Sequence, residues 1–408
     1  MTMPTLRSTQ NSDPIPFYES LHEGGPVTWD DDMQAWLVSD FKTCKTLLRR
    51  DMKTIRQVDA DDMTTMVAIS GSARTVKYLE GEDHRRMHGW WLRAFNPERI
   101  DGYRTAFIRP LIDQTLDAII EQGHAEMVSQ FASKIPPRAV AAALDLPWQD
   151  DEWIERVQGL LNQTVKFFDQ RFIQDDAVVE EAKAASSELN RILMPHVEER
   201  KSAQGNDLLS LLWRDGAEIL DDWNETDVVG HIRNMFLGGT DTSTLAITNA
   251  LYLLLRDPEL KARIADGDAD LMARFVEESL RLYGPVHFRP RKANEAFDLA
   301  GSSIEKDQIL VPMLAAADRD PAQFTTPDSI DLDRKSPKDH LAFNFGPRTC
   351  VGAALARAEI QESIAAVLER LGDIRLDPDK DAPSLTGFTL RSWSPLNVIF
   401  TPGRRVLP

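Results

Sequence analysis

Cysteine is scarce in this chain: 408 residues hold two, Cys44 and Cys350. Two cysteines build no disulfide framework and suit a reducing compartment, so a cytoplasmic protein is expected. Long apolar runs are also missing. No stretch approaches the roughly 18 apolar residues of a membrane span, which argues against stable membrane insertion. The opening MTMPTLRSTQNSDPIPFYES has no charged head leading into an apolar stretch, so it does not read as a secretory leader. Basic excess is absent: 47 Lys and Arg face 65 Asp and Glu, a net charge of -18. Binding to phosphate backbones needs a basic face, so nucleic acid is not an expected partner. No Gly/Ser-rich or Pro-rich linker and no repeat interrupts residues 1–408, which read as one large domain. What is present is 42% hydrophobic residues, enough for a core that needs no staple.

Alternating segments at 27–29 and 35–38, joined by Asp30-Asp31-Asp32, predict an early hairpin. Helical spacing then dominates, at 41–48, 111–120, 179–196, 227–255 and 271–282. Strand-like pieces return at 297–299, 308–311, 388–390 and 397–400. The predicted fold class is mainly α with a small β portion, the β-rich parts lying near 25–40, 290–315 and 385–400.

Four places break local rules. A buried helix is expected from about Glu225 to Arg256, capped by Asn224 or Thr226, yet Gly238-Gly239-Thr240-Asp241-Thr242-Ser243-Thr244 sits at its middle. Glycine costs about 1 kcal/mol against alanine there. Glycines admit a close approach to the backbone, and Ser and Thr hydroxyls can bond the carbonyl four residues back and open the helix. Either a planar ligand lies against a widened helix, with Asp241 and Thr242 offering an acid and a hydroxyl, or the helix breaks at a packing crossing. The second place is Phe343-Asn344-Phe345-Gly346-Pro347-Arg348-Thr349-Cys350-Val351-Gly352, ahead of an alanine-rich helix. A cysteine between a Gly-Pro loop and a helix start meets backbone N–H groups and the helix dipole, which lower a thiol pKa. It is a candidate nucleophile or metal ligand, whereas Cys44 fits a buried structural role. Glu278 and Arg281 lie three apart on one helical face, a spacing repeated at Glu82/Arg85 and Glu188/Arg191. Finally, His84 and His88 stand four apart in a Trp- and Arg-rich helix, open to an anionic contact, a metal or plain solvation.

Taken in this order and spacing, the four places resemble the cytochrome P-450 superfamily, particularly its soluble bacterial members. The resemblance runs from the early hairpin to the C-terminal strands and includes 131–147. It implies the P-450 fold and a haem-dependent monooxygenase. Cys350 would be the haem iron ligand, in a loop where Phe343, Gly346, Arg348 and Gly352 match the family pattern and Asn344 replaces its usual glycine. Asp241 and Thr242 would deliver protons to bound dioxygen, with Gly238 and Gly239 at the kink. Glu278 and Arg281 would brace the core. The haem propionates would meet His84, Arg291, His340 and Arg348, with His88 standing where relatives carry arginine and Arg289 close to Arg291.

The implied cofactor is haem b, iron protoporphyrin IX. No flavin or iron-sulfur motif accompanies it, so electrons from NAD(P)H are expected through an iron-sulfur ferredoxin and its reductase, docking on Arg85, Arg86, Arg93 and Arg357. Dioxygen and a medium-sized hydrophobic small molecule would be the substrates, with Met66, Val67, Leu237, Val286, His287 and Phe388 expected at the pocket. Competing readings are a peroxygenase or isomerase of the same superfamily, a non-catalytic haem sensor and a cysteine-nucleophile enzyme.

Overall fold

In the computed structural model, which describes residues 5–58, 62–170, 176–202 and 205–406, the early hairpin forms as expected. Val27–Asp30 pairs antiparallel with Ala35–Val38, Val27 opposite Val38 and Asp30 opposite Ala35. The acidic turn explains the reversal: Asp30 Oδ1 accepts the N–H groups of Asp32 and Met33, a side-chain mimic of a turn bond. Ala35–Val38 then pairs in parallel with Ile309–Pro312, and Arg291–Ala293 and Ile55–Gln57 complete a five-stranded sheet. Leu37, Leu310 and Val311 are buried in it. The helix Phe41–Leu48 packs under this sheet through Phe41, Cys44, Leu47 and Leu48. Cys44 is fully buried, as its structural role requires.

Two compact units emerge from the contacts, Met1–Val58, Ile112–Ala132 and Thr242–Pro408 in one, and Asp59–Leu111 and Ser133–Asp241 in the other. The first holds every strand pairing among the described residues, including a three-stranded sheet in the order His124–Glu126, Asn397–Thr401 and Gly372–Leu376. It also holds the helices Ala269–Tyr283 and Ala353–Arg370. The second is helical: Met63–Ser70, Gly81–Ala94, Pro136–Ala143, Asp151–Gln170, Asp176–Arg200, Leu208–Ile219 and Glu225–Gly239 are its main elements.

Three expectations change. Residues 388–390 form the turn between Ser384–Gly387 and Arg391–Ser394, because Gly387, at φ +101, reverses the chain there. The helix expected at 111–120 is Arg109–Asp117. The long helix expected at 225–256 divides into Glu225–Gly239 and Asp241–Leu255. The break is at Thr240, whose hydroxyl bonds the Phe236 carbonyl at 2.8 Å, the competition anticipated for that stretch. Asn224 caps the first piece by accepting from Thr226 and Asp227 N–H.

Candidate functional site

The loop before Cys350 is closed by its own backbone. Cys350 N–H donates to the Phe343 carbonyl at 2.9 Å, and the Thr349 hydroxyl donates to the Gly346 carbonyl at 2.8 Å. Gly346 lies at φ +75, and a Cβ there would sit 2.8 Å from the Leu48 carbonyl oxygen, so no other residue fits without moving the chain. Asn344 also has positive φ, 63°, which explains why asparagine substitutes for glycine. Its side-chain amide donates to the Arg348 carbonyl at 3.1 Å, a cross-link that glycine cannot make. Outside the loop, Phe345 carries Lys45 at 4.6 Å and Arg49 at 5.0 Å over its ring.

Cys350 itself is exposed to solvent yet densely surrounded by protein. That crowding pushes its thiol up, against the lowering expected from the loop and helix start; the Gly352 N–H and the charges of Arg357 and Arg289 only partly offset it. A cation bonded to the sulfur favours the thiolate.

Three buried carboxylates organise the basic side chains of this unit. Glu278 takes both Nε and Nη2 of Arg281, at 2.8 and 3.0 Å, and Arg334 Nε at 2.8 Å, while the Asp331 N–H donates to it. Burial pushes its carboxyl up, but these bonds outweigh that and hold it below the usual range. Arg281 spends its other N–H groups on the carbonyls of Asp318, Pro327 and Ser329. Glu277, one residue earlier, bonds His340 Nε2 at 3.0 Å and Arg357 at 2.6 and 2.9 Å. Burial raises it too, yet its two partners bring it to about 2. Asp51 receives Arg291 Nε at 2.7 Å and Arg348 Nε at 3.2 Å.

These contacts sort the predicted residues. Arg291 and Arg348 come together on Asp51, whereas the neighbouring Arg289 is exposed. His340, expected beside an anion of the ligand, uses Nε2 on Glu277, and its Nδ1 accepts from Ala342 N–H. Arg357, expected at a docking surface, is 22% exposed, clamped to Glu277 and laid over Phe343. Neither Asp51 nor Glu277 stood out in the sequence. The only hint was an acid beside Arg49 and Arg50, and an acid next to the Glu278 pair.

In the helical unit, His84 and His88 are buried and stacked, with ring centroids 5.1 Å apart. Gly239 serves packing: a Cβ there would meet Val140 Cγ2 at 3.0 Å. Gly238 differs, since a Cβ would meet nothing within 4 Å. Asp241 opens the following helix, and burial raises its carboxyl above the ordinary value. Thr242 follows it in the first turn. Arg85 pairs with Glu82 on the surface, and Arg86 donates to the Glu218 carbonyl. Arg93 is exposed and lines a recess of about 310 Å³ with Trp90, Arg99, Asp215 and Glu218.

Of the expected pocket residues, Met66 packs with Ile69, Phe167, Val178 and Ala182. His287 is buried, its Nδ1 2.7 Å from the Tyr18 hydroxyl, and burial with Arg391 and Arg319 holds it well below its usual pKa. Phe388 meets Phe288 edge-on at 5.1 Å. These three contribute to packing. Val67, Leu237 and Val286 are half-buried.

The cytochrome P450 family profile matches residues 152–267 and 268–392. A provisionally named cytochrome P450 133B2 of Xylella fastidiosa is 30% identical over 376 residues, 89% of this chain and 90% of its own. The biotin biosynthesis cytochrome P450 of Bacillus subtilis is 27% identical over 377 residues, 91% and 92% of the two chains. Among solved structures, CalO2 superposes with a TM-score of 0.86 at 24% identity, covering 96% of each chain, which shows the fold.

Proposed function

Since this chain belongs to the cytochrome P450 family of monooxygenases, we propose that Cys350 holds haem b and that the enzyme inserts one atom of dioxygen into a medium-sized hydrophobic substrate. The observation that carries the reading is Cys350 itself, an exposed cysteine at the end of a loop that only glycine at 346 permits. The other residues fit the group. Gly238 leaves space beside its backbone for a flat ligand, and two arginines anchored on Asp51 suit carboxylate groups.

Haem, when bound, supplies the activation of dioxygen, favoured by electron donation from a thiolate ligand. The protein's part begins at Cys350, where the Gly352 N–H steadies the sulfur's charge. Arg291 and Arg348 would hold the propionates. Asp241, whose carboxyl burial raises above its ordinary value, would take up a proton that the Thr242 hydroxyl passes on. Thr242 thus relays while the surrounding apolar residues exclude bulk water. In the helical unit, half-buried Val67 and Leu237 are offered to the substrate.

Electrons come from NAD(P)H through an iron-sulfur ferredoxin and its reductase in the cytoplasm. This is supported by the lack of any flavin or iron-sulfur motif in the chain and by exposed Arg85 and Arg93. Among the described residues no helix is long and apolar enough to cross a membrane. The test is the ferrous carbon monoxide spectrum. A thiolate ligand displaces the main band far from its histidine-ligated position, and Cys350→Ser is expected to abolish that displacement. A displaced band surviving in Cys350→Ser overturns the proposal.

A further inference from the structure

Asp51 follows the helix Phe41–Leu48 in a stretch rich in cations, Arg49, Arg50, Lys53 and Arg56, where an acid would ordinarily be solvated. It is instead 1% exposed. Its two oxygens are divided between two guanidiniums from distant parts of the chain. Oδ2 takes Nε of Arg291, the first residue of the strand Arg291–Ala293, and Oδ1 takes Nε of Arg348 in the turn before Cys350. Each arginine is held at Nε, the donor nearest its flexible stem, which fixes the plane of the fork. Arg291 is fixed further by Nη1 donating to the Pro290 carbonyl at 3.1 Å. The trio carries one net positive charge, since two cations share one anion.

Shared carboxylates of this kind elsewhere in the unit bind cations into the fold: Glu278 locks Arg281 against three carbonyls, and Glu277 locks Arg357 against Phe343. Asp51 differs because both of its cations belong to the group proposed to receive the ligand's carboxylates. We propose that Asp51 is a positioning residue for the cofactor, a buried carboxylate that sets Arg291 and Arg348 at one spacing so that both forks present to anionic ligand groups together. This rests on the haem-thiolate reading of Cys350. The residue touches neither the iron nor the substrate and acts only through the two arginines.

The test uses holoenzyme of the wild type, Asp51→Asn and Asp51→Ala, following haem transfer to excess apomyoglobin and the ferric-ferrous reduction potential. Groups that orient ligands typically contribute 10–100-fold to affinity. Haem transfer is therefore expected to quicken about 10-fold or more in Asp51→Ala and by less in Asp51→Asn, which keeps one acceptor oxygen. The potential should rise in both, because deleting a buried negative charge favours the reduced form, a change that looser packing alone does not produce. Unchanged transfer and potential in Asp51→Ala would overturn the inference. So would an Asp51→Asn chain that fails to fold, since the carboxylate would then be a folding requirement. A wild-type protein without the thiolate spectrum would instead defeat the proposed function.

Discussion

Buried arginines of the unit that carries Cys350 and Arg233 of the helical unit are held in different ways. In the first, Asp51 and Glu278 each hold two arginines and Glu277 holds an arginine and a histidine, and the Glu278–Arg281 pair is 0% exposed on both sides. In the second, Arg233 is fully buried with no carboxylate against it among the described residues. It donates to the Asn190 side-chain oxygen at 2.9 Å and to the Ile69 carbonyl, and its Nε finds no partner there. Burial alone lowers it to about 10. Both arrangements join residues remote in sequence, Glu278 to Arg334 and Ile69 to Arg233, but the first does so through a carboxylate and the second through neutral oxygens. The helix that Arg233 caps, Met63–Ser70, ends at Gly71 with φ +95, where a Cβ would collide with the guanidinium.

The sharpest way to break this contrast is to remove a bridge. Glu278→Ala leaves Arg281 and Arg334 buried without their carboxylate, and such orphaned charges typically cost 3–5 kcal/mol. A loss of about that size is expected by urea denaturation of the haem-loaded protein. A loss below about 1 kcal/mol would mean that the carbonyls around Arg281 suffice.

That bridge also marks the limit of what could be read in advance. Glu82/Arg85, Glu188/Arg191 and Glu278/Arg281 share one spacing, and all three pairs form. Only the third is buried, and burial comes from the tertiary surroundings rather than from spacing. The hairpin, the helix Phe41–Leu48 and the break near Thr240 were legible because turn chemistry and periodicity are local. The loop glycine at 346 and the cysteine were legible for the same reason. Asp51 was not, because its meaning depends on two arginines brought to it by folding. The crowding around the thiol was not legible, because helix-end donors are local while crowding is not. For Met66, Val67, Leu237, Val286 and Phe388 residue type does not separate pocket from core, since apolar pocket and apolar core use the same side chains.

A second buried carboxyl of the same unit sharpens the contrast through pH. Glu359, on the helix Ala353–Arg370, has no cation against it among the described residues; burial pushes its carboxyl up to about 8, with the Ser243 hydroxyl partly offsetting. A carboxyl that binds its proton more tightly when folded contributes stability in full below its unfolded pKa near 4.5, and that contribution is lost as pH rises toward 8. Glu277 runs the opposite way, its contribution present above 4.5 and lost as pH falls toward 2. Glu359→Gln is therefore expected to flatten the decline in stability between about pH 5.5 and 7.5, gaining on the wild type by up to about 1.4 kcal/mol per pH unit. Urea denaturation at the two pH values measures it. Parallel profiles for wild type and variant would show that Glu359 keeps its charge when folded.

The smallest effect is expected where a cation stands without a carboxylate. Arg233→Met removes the bonds to Asn190 and Ile69, which favour the native state, and also removes the burial of a charge, which opposes it. The two nearly cancel, and a change within about 1 kcal/mol of the wild type is expected, well below the loss in Glu278→Ala. The local consequence should be clearer than the global one. With the Ile69 carbonyl no longer capped, the last turn of Met63–Ser70 frays, and the Gly71 amide, bonded to the Val67 carbonyl at 2.8 Å, exchanges its hydrogen faster. A global loss matching that of Glu278→Ala, with exchange at Gly71 unchanged, would abolish the contrast. Neutral oxygens would then anchor a buried guanidinium as firmly as a carboxylate does, and the bridges at Glu277 and Glu278 would owe their presence to geometry rather than to charge.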